Sequence, residues 1–312
     1  MNRDKVSLWA TAAAAAAAAS ASALAAWKTD AGVSECAPLD VDGDDAFEPG
    51  QAVGVGIKAE MWKTKHPNLT ILEVGEDTPV LGLMSIVRNV ATEPAAFVSA
   101  ADRLMRQLLD YAVMGFPSEE EAVFFTPAQV RMQGSLPEED VGVCAISVCL
   151  EHEPAGVFDA ELQAAFPSFE RGSLRVKGLT RGSGKELPAN MQGKRVLLLA
   201  PVVGYAQPVM AALERLGQAG VEDEFVTLVS VVISKEAVEA LTEDAGEMSV
   251  VCGAMDGETR GVDHMVVPGV GEFSQRYLDA KAAVEEEARS KAEELKSSSR
   301  RRRPWWPWGR GG

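Results

Sequence analysis

Histidine is scarce in this chain, three in 312 residues, and the four cysteines, Cys36, Cys144, Cys149 and Cys252, form no C-x-x-C pair. Zinc needs clustered His and Cys ligands at short spacings, so no metal site is expected. Cys144 and Cys149 differ by an odd number and would face opposite sides of a strand, which predicts buried free thiols that do not bond to each other. Cations are also in deficit: 30 Lys and Arg against 46 Asp and Glu give a formal charge of −16. A general nucleic-acid coat needs clustered cations, so nucleic acid is not an expected partner. The acid excess reads as a soluble, self-repelling surface. The length allows one large domain or two small ones with a sizeable core.

Both ends look foreign to that core. Residues 7–27, SLWATAAAAAAAASASALAAW, have the roughly 20 residues that a bilayer span needs, but alanine is only weakly apolar. The triplets Ala19-Ser20-Ala21 and Ala21-Ser22-Ala23 resemble cleavage-site chemistry. Three readings stay open for residues 1–27: a targeting segment removed on arrival, a weak membrane anchor, or an Ala-rich leader. The first two imply an organellar location, with a plastid favoured, or a membrane-associated one. Residues 28–55 read as an acidic linker, residues 56–280 as the folded domain, and residues 281–312 as a charged helix and tail. In that tail Arg300–Arg303 adjoin Trp305, Trp306 and Trp308. Tryptophan favours the headgroup layer and arginine favours anionic lipid, so Arg300–Trp308 suits a membrane surface or, equally, an acidic protein partner.

From Thr92, TEPAAFVSAADRLMRQLLDYAVMG places Phe97, Leu104, Met105, Leu108, Leu109 and Ala112 on one face, with Asp102, Arg103, Arg106 and Asp110 off it. The spacing predicts an amphipathic helix, capped by Thr92 and with Pro94 in its first turn. Apolar runs at 122–125, 141–149, 195–199, 225–233 and 249–254 are strand candidates, with helices at 207–219 and 235–244 between the last three. Near-continuous apolar strands alternating with helices predict an α/β fold: a mainly parallel sheet with helices on both faces. Ligands of such sheets bind beyond the carboxyl ends of the strands, here the loops after Leu199, Ile233 and Met255.

The stretch GAMDGETRGVDHMVVPGVGEFSQRYLDA, residues 253–280, resembles the base-recognition end of uracil phosphoribosyltransferases. There an Ala-x-Asp strand end precedes a Val-Pro-Gly-x-Gly-Asp loop and an Asp-Arg pair. Asp256 matches the strand-end acid, and Val267, Pro268, Gly269, Val270, Gly271 and Glu272 match the loop, with Glu272 one methylene longer than the usual Asp. Gln275 stands where the acid before Arg276 would be. His66-Pro67, the arm IVRNVATEPAAFVSAADRLMRQLLDYAV and KGLTR at 177–181 extend the resemblance over residues 66–280. It implies a phosphoribosyltransferase-type fold with an N-terminal helical arm, a homodimer, and transfer of ribose-5-phosphate from phosphoribosyl pyrophosphate (PRPP) to uracil, with Mg²⁺ needed only if the chain is active. Arg181 matches a strand-end arginine, while the hairpin after it, GSGKELPANMQG, is shorter than in the family.

The PRPP motifs depart from the pattern. Where the family has Arg-Ala-Gly, EHEPAGVF keeps Ala155 and Gly156 and puts Pro154 for the arginine. Where it has Asp-Pro-x-x-Ala-Thr-Gly-Gly-Ser, this chain has Ala200, keeps Pro201, and continues through Tyr205, Ala206, Gln207 and Pro208. A carboxylate, a cation and a small hydroxyl are gone, and Pro208 removes an N–H donor from a helix start. Three readings remain. The first is a catalytically degenerate relative acting as a scaffold or a pyrimidine or nucleotide-binding module. The second is an active salvage enzyme forming UMP and pyrophosphate with substitutes such as Arg181, Lys185 or Glu272, and the third is a structural subunit of a membrane complex. No catalytic residue can be assigned. GLTRGSGKE at 178–186 lacks P-loop spacing, Asn68-Leu69-Thr70 is a sequon only on the secretory route, and His152 and His264 read as ordinary histidines.

Overall fold

The apolar runs pair as parallel strands in the computed structural model, which describes residues 62–301 apart from residues 63, 74–78, 117, 138–141, 151–152, 177–186, 246 and 262–263. The leader, the linker, the tail beyond residue 301, Cys36, His152, the KGLTR stretch, Arg181 and Lys185 lie outside the described residues. In chain order the elements begin with β1 (Leu69–Ile71), α1 (Pro79–Arg88), α2 (Pro94–Val113), β2 (Ser118–Phe125), β3 (Arg131–Pro137) and β4 (Val143–Leu150). Next come α3 (Asp159–Ala165), β5 (Glu170–Val176), β6 (Arg195–Leu199), β7 (Val202–Val203), α4 (Gln207–Gln218), β8 (Val226–Ser234) and α5 (Lys235–Asp244). The chain continues through β9 (Ser249–Asp256), β10 (Glu258–Arg260), β11 (Met265–Val267) and α6 (Phe273–Arg301).

The seven-stranded sheet runs β1-β9-β8-β6-β4-β5, with β7 also on β8, and each of its pairings is parallel. Every residue of β8 is buried, as expected for a central strand covered on both faces. Side chains alternate between the two faces. Cys144, Leu198 and Leu228 join Val209, Leu213, Val238 and Leu241 under α4 and α5. Ala145, Leu197, Leu199 and Val229 join Met84, Leu104, Leu108 and Tyr277 under α1, α2 and α6. The antiparallel pairs β2–β3 and β10–β11 stand off this sheet.

Two local expectations need correction. The cap of α2 is Glu93, which makes no side-chain cap bond, because the Thr92 hydroxyl instead donates to the Ile86 carbonyl at 2.8 Å. A cap is worth about 1 kcal/mol, whereas burying one leucine is worth about 1.5–3 kcal/mol. Eight buried residues on the apolar face therefore hold α2 without a cap. The run at 122–125 is only the second half of β2, whose polar start, Ser118–Glu121, gives no apolar signal and is organised by pairing with β3. The described cysteines, Cys144, Cys149 and Cys252, are buried, and Cys144 and Cys149 are thiols not bonded to each other. Burial pushes the Cys144 and Cys149 thiols up, which disfavours reactive thiolate.

Among the described side chains of helix α6, packing is confined to the first turns. Phe273, Tyr277 and Ala280 are buried against α2, and the Tyr277 hydroxyl bonds to Asp102 at 2.5 Å. Burial first, and then that carboxylate, hold the phenol far above its ordinary range. From Glu285 to Lys296 every residue is exposed.

Candidate functional site

The loop matching the family's base-recognition segment is assembled by β9, the β10–β11 hairpin and the end of α1. Asp256, the last residue of β9, is only 4% exposed. Arg88, the last residue of α1, grips it with both guanidinium nitrogens, at 2.8 and 2.9 Å, and also donates to the Gly269 carbonyl at 3.0 Å. The Gly269 N–H donates to the same carboxylate at 2.8 Å. The loop's central residue is thus held through both its donor and its acceptor. Gly269 lies at φ +61, and a Cβ there would sit 2.0 Å from the Val266 carbonyl oxygen, so only glycine fits. The Val267–Pro268 peptide is cis.

Around this clamp the charges are unbalanced. Glu73 is buried and lies 3.6 Å from Arg88. Burial raises its carboxyl above the usual range, partly offset by the attraction of Arg88. The end of α1 is itself fixed by Arg276, which donates to the carbonyls of Val87 and Asn89 at 2.7 Å each. Its guanidinium also lies 4.0 Å from the Phe97 ring centre. A cation on the last carbonyls of a helix satisfies orphan acceptors and the negative dipole end together. An open groove of about 650 Å³ runs past Arg88, Phe97, Gly269, Gly271, Glu272 and Arg276.

The two segments that match the PRPP motifs also come together. Ala155, Gly156 and Pro201 line one cavity with Cys149, Leu199 and Ser274, but its volume is about 10 Å³, room for about one water. Ala200 is buried and its N–H is bonded to Val229. The Pro201 carbonyl accepts from the N–H groups of Val231 and Val232 and from the Ser230 hydroxyl. Gly204 touches the base-loop hairpin: a Cβ on it would lie 2.1 Å from the His264 carbonyl oxygen. Beside it the Tyr205 ring packs on the His264 imidazole with 4.6 Å between centroids. Ser234 ties the arrangement to the sheet, donating to the Gly204 carbonyl and accepting from the Ala237 N–H at the start of α5. The start of α4 has no side-chain cap bond and carries a proline in its first turn.

Val267–Glu272 therefore form one loop, Ala155, Gly156 and Pro201 line one small cavity, and Ala200 and Tyr205 sit in the adjoining turn. Sequence reasoning did not single out Arg88 or Ser234. A lone arginine ending the otherwise apolar α1 was the available signal for the first, and a serine between an apolar strand and a helix for the second. Among the described residues no group of three or more His, Cys, Asp or Glu is placed to hold a metal.

A family model described as uracil phosphoribosyltransferase matches residues 74–280. The uracil phosphoribosyltransferase of Dictyostelium discoideum is 26% identical over 202 residues, covering 63% of this chain and 90% of that one. That of Saccharomyces cerevisiae is 25% identical over 222 residues, covering 69% and 98%. A solved protein structure from Aquifex aeolicus superposes with a TM-score of 0.53 at 18% identity, covering 67% of this chain and 97% of that one, a likeness of fold alone.

Proposed function

This chain belongs to the uracil phosphoribosyltransferase family, with its type I fold, and we propose that it is a catalytically degenerate member that keeps the base-reading loop as a scaffold or pyrimidine-binding module. The observation that carries this reading is the closed turn at residues 200–208. Space that an anion cradle would need is taken by the protein: Pro201 is bonded onto β8, Gly204 abuts the His264 backbone and the Tyr205 ring packs on the His264 imidazole. The residues do not fit a PRPP–Mg²⁺ complex, since Ala200 presents no carboxylate and Pro154 no cation. Each missing charge-assisted contact is worth about 1.5–3 kcal/mol, so three together weaken binding about a thousandfold or more.

The base loop supports retained pyrimidine recognition, because its backbone groups are oriented by Asp256 and Arg88 before any ligand arrives. The same clamp favours a second reading, an active salvage transferase. Incubating the full chain with uracil, PRPP and Mg²⁺ and detecting UMP by mass separates the two. No product above a protein-free control is expected, together with uracil or UMP binding by calorimetry; sustained turnover would overturn degeneracy.

We also infer a homodimer. The β2–β3 hairpin exposes Val123, Phe125, Val130 and Met132, and the end of α2 exposes Tyr111 and Met114. A two-stranded hairpin is marginal alone in water and needs something against its apolar side chains. Light scattering on the full chain should give twice the monomer mass, and Phe125→Glu should shift it towards the monomer. A monomeric parent chain would exclude the assignment.

A further inference from the structure

The clamp on the base loop holds two buried acids, Glu73 and Asp256, against one guanidinium, that of Arg88. Glu73 stands just beyond β1, and its N–H donates to the Gly253 carbonyl at 2.8 Å, which fixes its backbone to β9. Its side chain is 4% exposed and faces Arg88 at the end of α1. Arg88 is already committed: one guanidinium nitrogen bonds Asp256, and the other bonds both Asp256 and the Gly269 carbonyl. The Glu73 Oε2 lies 3.6 Å from the guanidinium, beyond hydrogen-bond range, and accepts no bond from any described residue. With both acids ionised the cluster would carry an uncompensated negative charge, which is costly out of water.

We propose that Glu73 is a positioning residue for the base loop: it acts through Arg88, and its protonation state sets how firmly Arg88 holds the Gly269 carbonyl. A neutral Glu73 leaves the guanidinium to Asp256 and Gly269. An ionised Glu73 attracts the same guanidinium toward a charge-assisted bond of about 2.7–2.9 Å. The contact that yields is the one to Gly269, at 3.0 Å the longest of the three and the only one to an uncharged acceptor. The charges that act on Glu73 among the described residues are Arg88 on α1 and Asp256 on β9. Arg276, reaching in from α6, is bonded to the Val87 and Asn89 carbonyls. Burial raises the Glu73 carboxyl above the ordinary glutamate value, the Arg88 charge opposes that, and the Asp256 charge adds to it. Stability tied to the neutral form is therefore fully present below the ordinary value and is lost as pH rises through the folded value. The assignment concerns the geometry of the loop and does not require that uracil bind there.

The test is an NMR titration of the full chain over about pH 4 to 8, following the Glu73 carboxyl and the Gly269 backbone signals. Glu73→Gln is the companion, because its amide keeps the shape of the neutral acid. Glu73 is expected to titrate above the ordinary glutamate value, the Gly269 signals should move with the same midpoint, and Glu73→Gln should abolish that step. Urea denaturation over the same range gives a second readout. Relative to Glu73→Gln, the unfolding constant of the parent should rise about tenfold for each unit between the ordinary and the folded midpoints. A Glu73 midpoint at or below the ordinary value would overturn the proposal, as would a Gly269 step that persists in Glu73→Gln. If the variant does not fold, the parent decides alone: coincident midpoints support the coupling and separate ones refute it. Uracil calorimetry is an independent measurement, so a loop that binds no pyrimidine would leave these outcomes unchanged.

Discussion

Asp256→Ala is expected to lower the unfolding free energy by about 3–5 kcal/mol, the cost of leaving a desolvated cation without its partner. The guanidinium of Arg88 would lose both short bonds to the carboxylate, and the Gly269 N–H would lose its acceptor. Glu73 is near but 3.6 Å away, so it can compensate only in part. Urea denaturation would read the change as a shift in midpoint at constant slope. Two companions sharpen the result. Asp256→Asn keeps an acceptor for Gly269 and should cost less, and adding Arg88→Met to Asp256→Ala should recover part of the loss by removing the stranded charge. A loss below about 1 kcal/mol, the size of an exposed pair, would show that the clamp is solvated.

Gly269→Ala should abolish uracil or UMP binding and destabilise the fold by about 2 kcal/mol or more. Two costs add: a left-handed conformation at φ +61, worth about 1–2 kcal/mol for a residue with a Cβ, and a contact of 2.0 Å with a backbone oxygen that cannot rotate away. The matched control is Gly271→Ala. Its φ is +68, yet nothing lies within 4 Å of the added Cβ, so only the conformational cost remains. Calorimetry and amide exchange across residues 266–271 should show the loop opened in the first variant and largely retained in the second. Equal effects at both positions would mean that steric closure by Val266 does not matter.

How far the sequence disclosed this architecture depended on how local the cause was. The face of α2 was legible because Phe97, Leu104 and Leu108 recur at helical spacing and all are buried. Strands β6, β8 and β9 were legible because both of their faces are covered, which leaves an unbroken apolar run. The three-residue β1 was hidden, and so was β5, whose exposed start at Glu170–Arg171 breaks the run. The base loop could be recognised from Pro268, Gly269 and Gly271, but its fastening could not. Arg88 meets Asp256 across 168 positions of sequence, and nothing local to either residue announces the pair. Gly204 was not legible either, since its immediate constraint is the His264 backbone, 60 residues away in sequence.

The pairing of β1 with β9 sets Leu69, Thr70 and Ile71 beside Val250, Val251 and Cys252, segments from opposite ends of the folded chain. On the ribosome, β1 would wait for its neighbour until almost the whole domain had emerged, and such long-range parallel pairing is intrinsically slow. Asp256 closes β9 and Gly269 follows it, so the nascent helix α1 holds Arg88 without this counter-ion through most of synthesis. The loop at residues 267–272 thus takes shape late, and a chain interrupted before residue 249 would carry an unpaired strand and an uncompensated arginine to the quality-control machinery.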